Sequence, residues 1–266
     1  MMNNLKNKVI VITGASSGIG RATARNLAAS GAIVIAVARN YEGLKELQNE
    51  TIKSNGIVSI YATDISIPEN ISNLIQSIMN QHKRIDGWIN NAGFGILCFL
   101  EELPPTDFQN ILNTNLLAPY QSMKQLIPIM RDQGGGVIIN ISSVIGRRGV
   151  PYYSAYCATK FALIGMTESV REELGNSSPV KVCVVNPGLT NTNFGKHISN
   201  PSNLLIENNW IHGASPDKVS KTILKCLTKP KAEYYVSWFD HLFIIVNTLF
   251  PRLISWGLRH YRRVKS

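Results

Sequence analysis

The stretch Lys8–Ser30, K-V-I-V-I-T-G-A-S-S-G-I-G-R-A-T-A-R-N-L-A-A-S, decides the fold. Its first part, Lys8–Thr13, is a short apolar, β-branched run, the pattern of a strand buried on both faces. Thr13-Gly14-Ala15-Ser16-Ser17-Gly18-Ile19-Gly20 follows, and a helical pattern then runs from Arg21 until Gly31 stops it. Strand, glycine-rich turn and helix in this order bring backbone N–H groups and a helix N-terminus to a pyrophosphate. Gly14, Ser16, Ser17, Gly18, Ile19 and Gly20 are therefore candidate cofactor-binding positions. The glycine spacing is G-x-x-x-G-x-G, and its strand-to-helix context is what makes it a dinucleotide signal.

Working outward, a second strand at Ile33–Ala38 ends where NAD-specific folds carry an acid for the ribose 2′-hydroxyl. Here Ala38 stands in that place and Arg39 comes next. A carboxylate repels a 2′-phosphate and a guanidinium accepts it through two hydrogen bonds, so the pair argues for NADP(H) over NAD(H). The bland alternative is a solvated surface arginine. Tyr41–Ser54 reads as a polar helix and Ile57–Tyr61 as a third strand. Asp64 follows, placed to accept from an adenine amino group or to cap a turn. After a helix at Pro68–Gln81 and a strand at Asp86–Ile89 comes Asn90-Asn91-Ala92-Gly93. Small and amide residues at a strand's carboxyl end suit a backbone running close against a cofactor.

Pro104–Arg131 is mostly helical and carries Asn115 in an otherwise apolar patch. An amide there costs stability without partners, and a local helix distortion beside a site is one explanation. Val137–Ile141 and Val180–Val185 are further strands, the second closed by Asn186-Pro187-Gly188-Leu189-Thr190-Asn191-Thr192. Alternating strands and helices predict one α/β domain built on a parallel sheet with right-handed crossovers. The features singled out all follow strand ends, so they should converge on one crevice.

Between those last two strands lies S-V-I-G-R-R-G-V-P-Y-Y-S-A-Y-C-A-T-K, Ser143–Lys160. Tyr156 and Lys160 sit one helical turn apart on one face. A cation beside a phenol favours the phenolate and pulls its pKa from ~10 towards the working range of an acid/base. Gly146, Gly149 and Pro151 make a turn that can fold the Ser143 hydroxyl back beside the phenol. Alone, Y-x-x-x-K is a weak signal.

Together these residues resemble the short-chain dehydrogenase/reductase family. The matches are Thr13-Gly14-x-x-x-Gly18-x-Gly20, Asp64, Asn90-Asn91-Ala92-Gly93, Asn115, Ser143, Tyr156-x-x-x-Lys160 and Pro187-Gly188, over roughly residues 5–195. The resemblance implies a Rossmann-like, doubly wound parallel sheet of about seven strands, with Ala232–Ser237 as the last. It implies Tyr156 as acid/base, and Lys160 on the nicotinamide ribose and lowering the Tyr156 pKa. Ser143, favoured over Ser142 by its spacing to Tyr156, would hydrogen-bond the substrate oxygen. Asn115 would hold a water of a proton relay through Lys160. The loop after Pro187 and Gly188 would cover the nicotinamide, with Thr192 near its carboxamide. Thr190 departs from the Val of many relatives. A homodimer or homotetramer is expected by the same analogy. The implied reaction is NADP(H)-dependent interconversion of a lipophilic ketone or aldehyde and its alcohol. A 3-oxoacyl-carrier-protein-type reductase is the alternative. A non-catalytic NADP(H)-binding sensor or scaffold is the reading from another class, and it would usually show loss of Tyr156 or Lys160.

With 266 residues, 44% apolar and 17% charged, the chain buries a substantial core. Four scattered cysteines suit a cytoplasmic protein with reduced thiols, and five histidines without ligand spacing predict no metal. The amino terminus shows no targeting segment. The net charge is +10, and Arg252, Arg259, Arg262, Arg263 and Lys265 crowd the last fifteen residues without an acidic neighbour. We therefore divide the chain into a catalytic domain, 1–238, and a basic, hydrophobic extension, 239–266. That extension can cover the substrate pocket, form a subunit interface, or lie on an anionic membrane surface. Nucleic acid is not an expected partner. Residues 189–213 are loop-rich with isolated aromatics, as expected of a substrate lid. Phe94, Ile96, Phe99, Val150, Tyr152 and Tyr153 are candidates for the facing wall.

Overall fold

In the computed structural model, which describes residues 5–204 and 213–261, the opening run becomes β1 (Val9–Thr13), buried at all of its positions. The chain continues through α1 (Gly18–Ala29), β2 (Ile33–Ala38), α2 (Tyr41–Ile52), β3 (Ile57–Ala62), α3 (Pro68–His82) and β4 (Gly87–Asn90). The second half comprises α4 (Pro105–Leu112), α5 (Ala118–Asp132), β5 (Gly136–Ile141), α6 (Ser154–Leu174), β6 (Val180–Asn186), α7 (Pro216–Thr228) and β7 (Glu233–Tyr235). Two further helices, α8 (Trp238–Leu249) and α9 (Pro251–Tyr261), form the extension. The last strand is shorter than expected because Ser237 leaves the sheet to cap α8, where Ser237 and Asp240 form a reciprocal capping box.

All seven strands are parallel, in the order β3-β2-β1-β4-β5-β6-β7. The chain builds outward from β1 to β3, then returns to β1's other edge to lay down β4. Strand order therefore reverses between β1 and β4, the topological switch point where a crevice opens at the carboxyl ends. The period of two in the strands divides the core. Ile10 and Ile12 pack with Leu27 of α1, Leu44 of α2 and Ile223 of α7 on one face. Val9 and Val11 pack with Ile71 and Ile78 of α3 and Leu126 of α5 on the other. Each such fully buried aliphatic side chain contributes roughly 2 kcal/mol from burial. Both faces are covered, which is why the strands read as unbroken apolar runs.

Local signals place the helices. The Asn40 side chain accepts from Gly43 N at 3.1 Å to start α2, and Pro68 opens α3. Between α4 and α5 the helix widens into a π turn at Asn113–Leu117, centred on the amide that looked out of place in the sequence.

Candidate active site

The glycine loop is held from below by β4. Thr13 Oγ1 accepts from Asn91 N and Ala92 N, both at 3.0 Å, and Asn91 Nδ2 donates to Thr13 O at 2.8 Å. Asn91 and Ala92 thus clamp the end of β1 to the end of β4. Gly14 has φ +70°, and a Cβ there would stand 2.9 Å from Ala92 Cα. At Gly20 a Cβ would come within 2.1 Å of Gly14 O. Only glycine permits this close folding of turn onto helix. Ser16 and Ser17 complete the turn ahead of Gly18 and Ile19. Ser17 is the N-cap of α1, yet its side chain caps nothing and the first turn holds no acid. The helix start therefore keeps uncapped N–H groups and its positive end for an anion. This cradle fits a dinucleotide pyrophosphate.

The other predicted positions surround the same crevice. Thr192 Cγ2 lies 3.3 Å from where a Cβ on Gly18 would be, so the loop after β6 faces the glycine loop directly. Arg39 is 77% exposed at the end of β2, and its Nη1 lies 3.8 Å from Asp64 Oδ2. Asp64 spends its other oxygen on the turn, accepting from Ser66 N at 2.9 Å and Ser66 Oγ at 2.7 Å. The turn-capping reading of Asp64 is realised by one oxygen, and the second remains beside Arg39.

Ser143, Tyr156 and Lys160 come together where β5 ends. Ser143 Oγ donates to Pro187 O at 3.3 Å, and Val144 N donates to the same carbonyl at 3.1 Å, which ties the β5 loop to the β6 loop. Ser142, the rival serine, is buried and donates to Lys160 O at 3.1 Å, out of the site. Ser143 is the one whose hydroxyl acts on the Tyr156 phenol, pulling its pKa down. Lys160 Nζ donates to Ile141 O at 2.8 Å and stands 5.5 Å from the centroid of the Tyr156 ring.

The electrostatics differ from the sequence expectation. Burial raises the Tyr156 pKa above that of a free phenol, against an opposing pull from Ser143. Lys160 does not lower it in this structure; burial brings the lysine's own pKa down to about 8. Desolvation disfavours both charged forms and is the main cause of both shifts. The phenol stands as an acid, and the ammonium titrates within reach of neutrality.

Asn115 is 1% exposed and brackets the backbone of a single residue, Phe94. Its Oδ1 accepts from Phe94 N at 3.1 Å, its Nδ2 donates to Phe94 O at 2.9 Å, and Thr159 Oγ1 lies 3.3 Å away. A Cβ on Gly93 would stand 3.0 Å from Asn115 Oδ1 and 3.7 Å from Lys160 Nζ, so Gly93 lets the β4 loop pass between them. The amide's hydrogen-bonding capacity goes to holding that loop.

The expected walls are only partly as predicted. Ile96 is core: it bridges to Ser199 and clusters with Cys98, Ile111 and Ala155 beneath Tyr156. Phe99 and Tyr152 meet edge-on at 5.4 Å. In the expected lid, Thr192 caps a short 3-10 turn by accepting from Phe194 N at 3.1 Å. The Phe194 ring then sits 5.8 Å from the Tyr156 ring. Residues 205–212 of the lid lie outside the described residues. One contributor escaped the sequence reading, Asp240, although S-x-x-D at 237–240 signals it; its carboxylate accepts from Ser237 N at 3.1 Å and from the backbone N–H of Gly188.

A pyrophosphate cradle at a switch point, beside a half-buried tyrosine paired with a buried lysine, defines a nicotinamide-dependent oxidoreductase of the α/β class. The short chain dehydrogenase family profile matches residues 8–203. The chain belongs to that family and is an NAD(P)-dependent oxidoreductase. It is 31% identical over 267 residues to the 3-ketodihydrosphingosine reductase of Bacteroides thetaiotaomicron, covering 95% of this chain and 94% of that one. It is 35% identical over 188 residues to the 3-oxoacyl-[acyl-carrier-protein] reductase FabG of Thermotoga maritima, covering 71% of this chain and 76% of that one. Among solved structures, a metagenomic short-chain oxidoreductase in complex with NADP superposes with a TM-score of 0.75 at 30% identity, over 87% of this chain and 97% of that one. Among the described residues no cluster of His, Cys, Asp or Glu could hold a metal, and no single helix is long and apolar enough to cross a membrane.

Proposed function

We propose that this chain is an NADP(H)-dependent reductase that interconverts a lipophilic ketone or aldehyde and its alcohol. The observation that carries the proposal is the convergence of Ser143, Tyr156 and Lys160 at the end of β5, with the phenol held in its acid form. A bound nicotinamide supplies or takes up the hydride. Gly14, Ser16, Ser17, Gly18, Ile19 and Gly20 would hold its pyrophosphate and Arg39 its 2′-phosphate, with Asp64 at the adenine end. Asn91, Ala92, Gly93, Pro187, Gly188 and Thr192 would line the nicotinamide half.

In reduction, the Ser143 hydroxyl hydrogen-bonds the carbonyl oxygen where negative charge develops, and Tyr156 gives that oxygen its proton. Lys160, with its pKa near 8, can return a proton to Tyr156 and bind the ribose hydroxyls. Asn115 acts as a positioning residue through Phe94, so a relayed water would be held by backbone at Asn115 and not by its amide.

The lipophilic substrate is supported by the apolar surroundings of Tyr156, namely Phe94, Leu103 and Phe194. The near end-to-end similarity to a 3-ketodihydrosphingosine reductase points the same way. The carrier-protein alternative rests on a similarity that covers less of the chain. Cytoplasmic placement and a homodimer or homotetramer belong to the same reading.

A fluorescence titration with NADPH and NADH, repeated on Arg39→Ala, tests the cofactor. Selective binding of NADPH that weakens in the variant supports the Arg39 assignment, and equal binding of both cofactors, unchanged in the variant, removes it. Turnover of free long-chain ketones, set against carrier-bound 3-oxoacyl chains, then separates the two substrate readings. Failure to bind either cofactor would favour a non-catalytic role.

A further inference from the structure

The extension carries an apolar surface that is left exposed among the described residues. No residue of α8 is buried. Trp238, Leu242, Ile245 and Leu249 recur at i, i+4, i+7 and i+11, a single stripe along the helix, and Trp238 and Leu249 are each 66% exposed. The stripe passes around the bend through Phe250 to Leu253 and Trp256, the last 62% exposed. On α9, Arg252 and Arg259 lie four residues before and three after Trp256, so two guanidinium groups flank the indole on one helical face. From His241 to Ser266 the sequence contains no acidic residue, and it continues past α9 with Arg262, Arg263 and Lys265.

We propose that α8 and α9 form a docking surface for an anionic lipid bilayer. Neither helix alone, at 12 and 11 residues, is long enough to cross it; the two together have the length and apolarity of a span, but the 110° bend between them lays both apolar faces along a surface instead. Apolar side chains on one face with flanking arginines and tryptophan suit the headgroup boundary. A second copy of this chain fits the face less well. Two-fold pairing would oppose the same arginines without a carboxylate to answer them. Covering of the chain's own pocket is not what these side chains do, since they point to solvent.

The platform is fastened to both loops that flank Ser143 and Tyr156. Asp240 holds Gly188, Asn247 Nδ2 donates to Arg147 O at 3.3 Å, and Arg148 Nη2 donates to Ser255 Oγ at 2.6 Å. Docking would therefore hold the catalytic loops against the lipid surface. This inference stands apart from the choice of cofactor and substrate.

The test is co-sedimentation of the full chain with phosphatidylcholine–phosphatidylglycerol vesicles and with pure phosphatidylcholine vesicles, following tryptophan emission, with no substrate present. We expect binding to the anionic vesicles, a blue shift from Trp238 and Trp256, and weakening by salt. Arg252→Gln with Arg259→Gln should weaken binding about 25-fold, roughly fivefold per arginine. Leu249→Asp with Leu253→Asp should abolish it while leaving the cofactor titration unchanged. No binding to anionic vesicles, equal binding to neutral ones, or unimpaired binding by both variants would each overturn the proposal. A concentration-dependent dimer that the Leu249→Asp, Leu253→Asp protein loses, with no vesicle binding, would give the face to a second copy instead.

Discussion

Replacing Lys160 with methionine removes a buried ammonium and makes its cost measurable through pH. The folded lysine sheds its proton from about 8, whereas the unfolded one keeps it to an ordinary value of 10.5. Between those values the unfolded state binds more protons, so wild-type stability rises with pH across that window. The difference of about 2.5 units corresponds to roughly 3 kcal/mol of penalty, present in full below pH ~8 and relieved towards pH ~10.5. Methionine does not titrate and carries none of this. It leaves Ile141 O without its donor, a loss of about 1–3 kcal/mol that does not change with pH. At pH ~7 the variant should therefore be about as stable as the wild type or more so. By pH ~9.5 the wild type should have gained about 2 kcal/mol on it. Urea unfolding of both proteins at the two pH values gives the comparison, because every other group titrates alike in the pair and cancels. A stability difference constant with pH to within about 0.5 kcal/mol would refute the claim that burial, and not pairing with Tyr156, dominates the lysine.

Tyr156→Phe removes the proton donor and keeps the ring packed on Phe194; turnover should fall about 10²–10⁴-fold while nicotinamide titration stays near wild type. Loss of cofactor binding and turnover in parallel would instead make the hydroxyl part of the binding site. Gly20→Ala puts a methyl 2.1 Å from Gly14 O, so the turn must open. Nicotinamide titration should show weakening by at least about tenfold, and unchanged affinity would mean that the turn does not carry the pyrophosphate.

Much of the site was legible because its signals are local. The glycines must stand where a turn doubles back on a helix, and Tyr156 and Lys160 share a face by helical spacing alone. Strand ends converge because parallel topology sends every loop after a strand to the same edge. Even the π turn was foreshadowed by Asn115, an amide set among apolar neighbours. Other expectations depended on what lies across the crevice. Spacing to Tyr156 already favoured Ser143 over Ser142; what only the fold shows is that the Ser143 hydroxyl meets Pro187 O of the β6 loop and the Ser142 hydroxyl meets Lys160 O of α6. Ile96 read as pocket wall and proved to be core, because its backbone pairs with Ser199, a partner about a hundred residues away in the chain.

What the sequence by itself determined is the order of elements, the parallel α/β class, and the placement of the glycine-rich turn and of Tyr156 and Lys160 on one helical face. These follow from periodicity, glycine placement and spacing within a few residues. Tertiary structure alone decided the sign of the Tyr156 shift, the partner of Asn115, the double duty of Asp64 and the anchoring of α8 to Gly188. Each of these depends on which distant groups share a low-dielectric space, and that is a property of packing that no window of sequence contains.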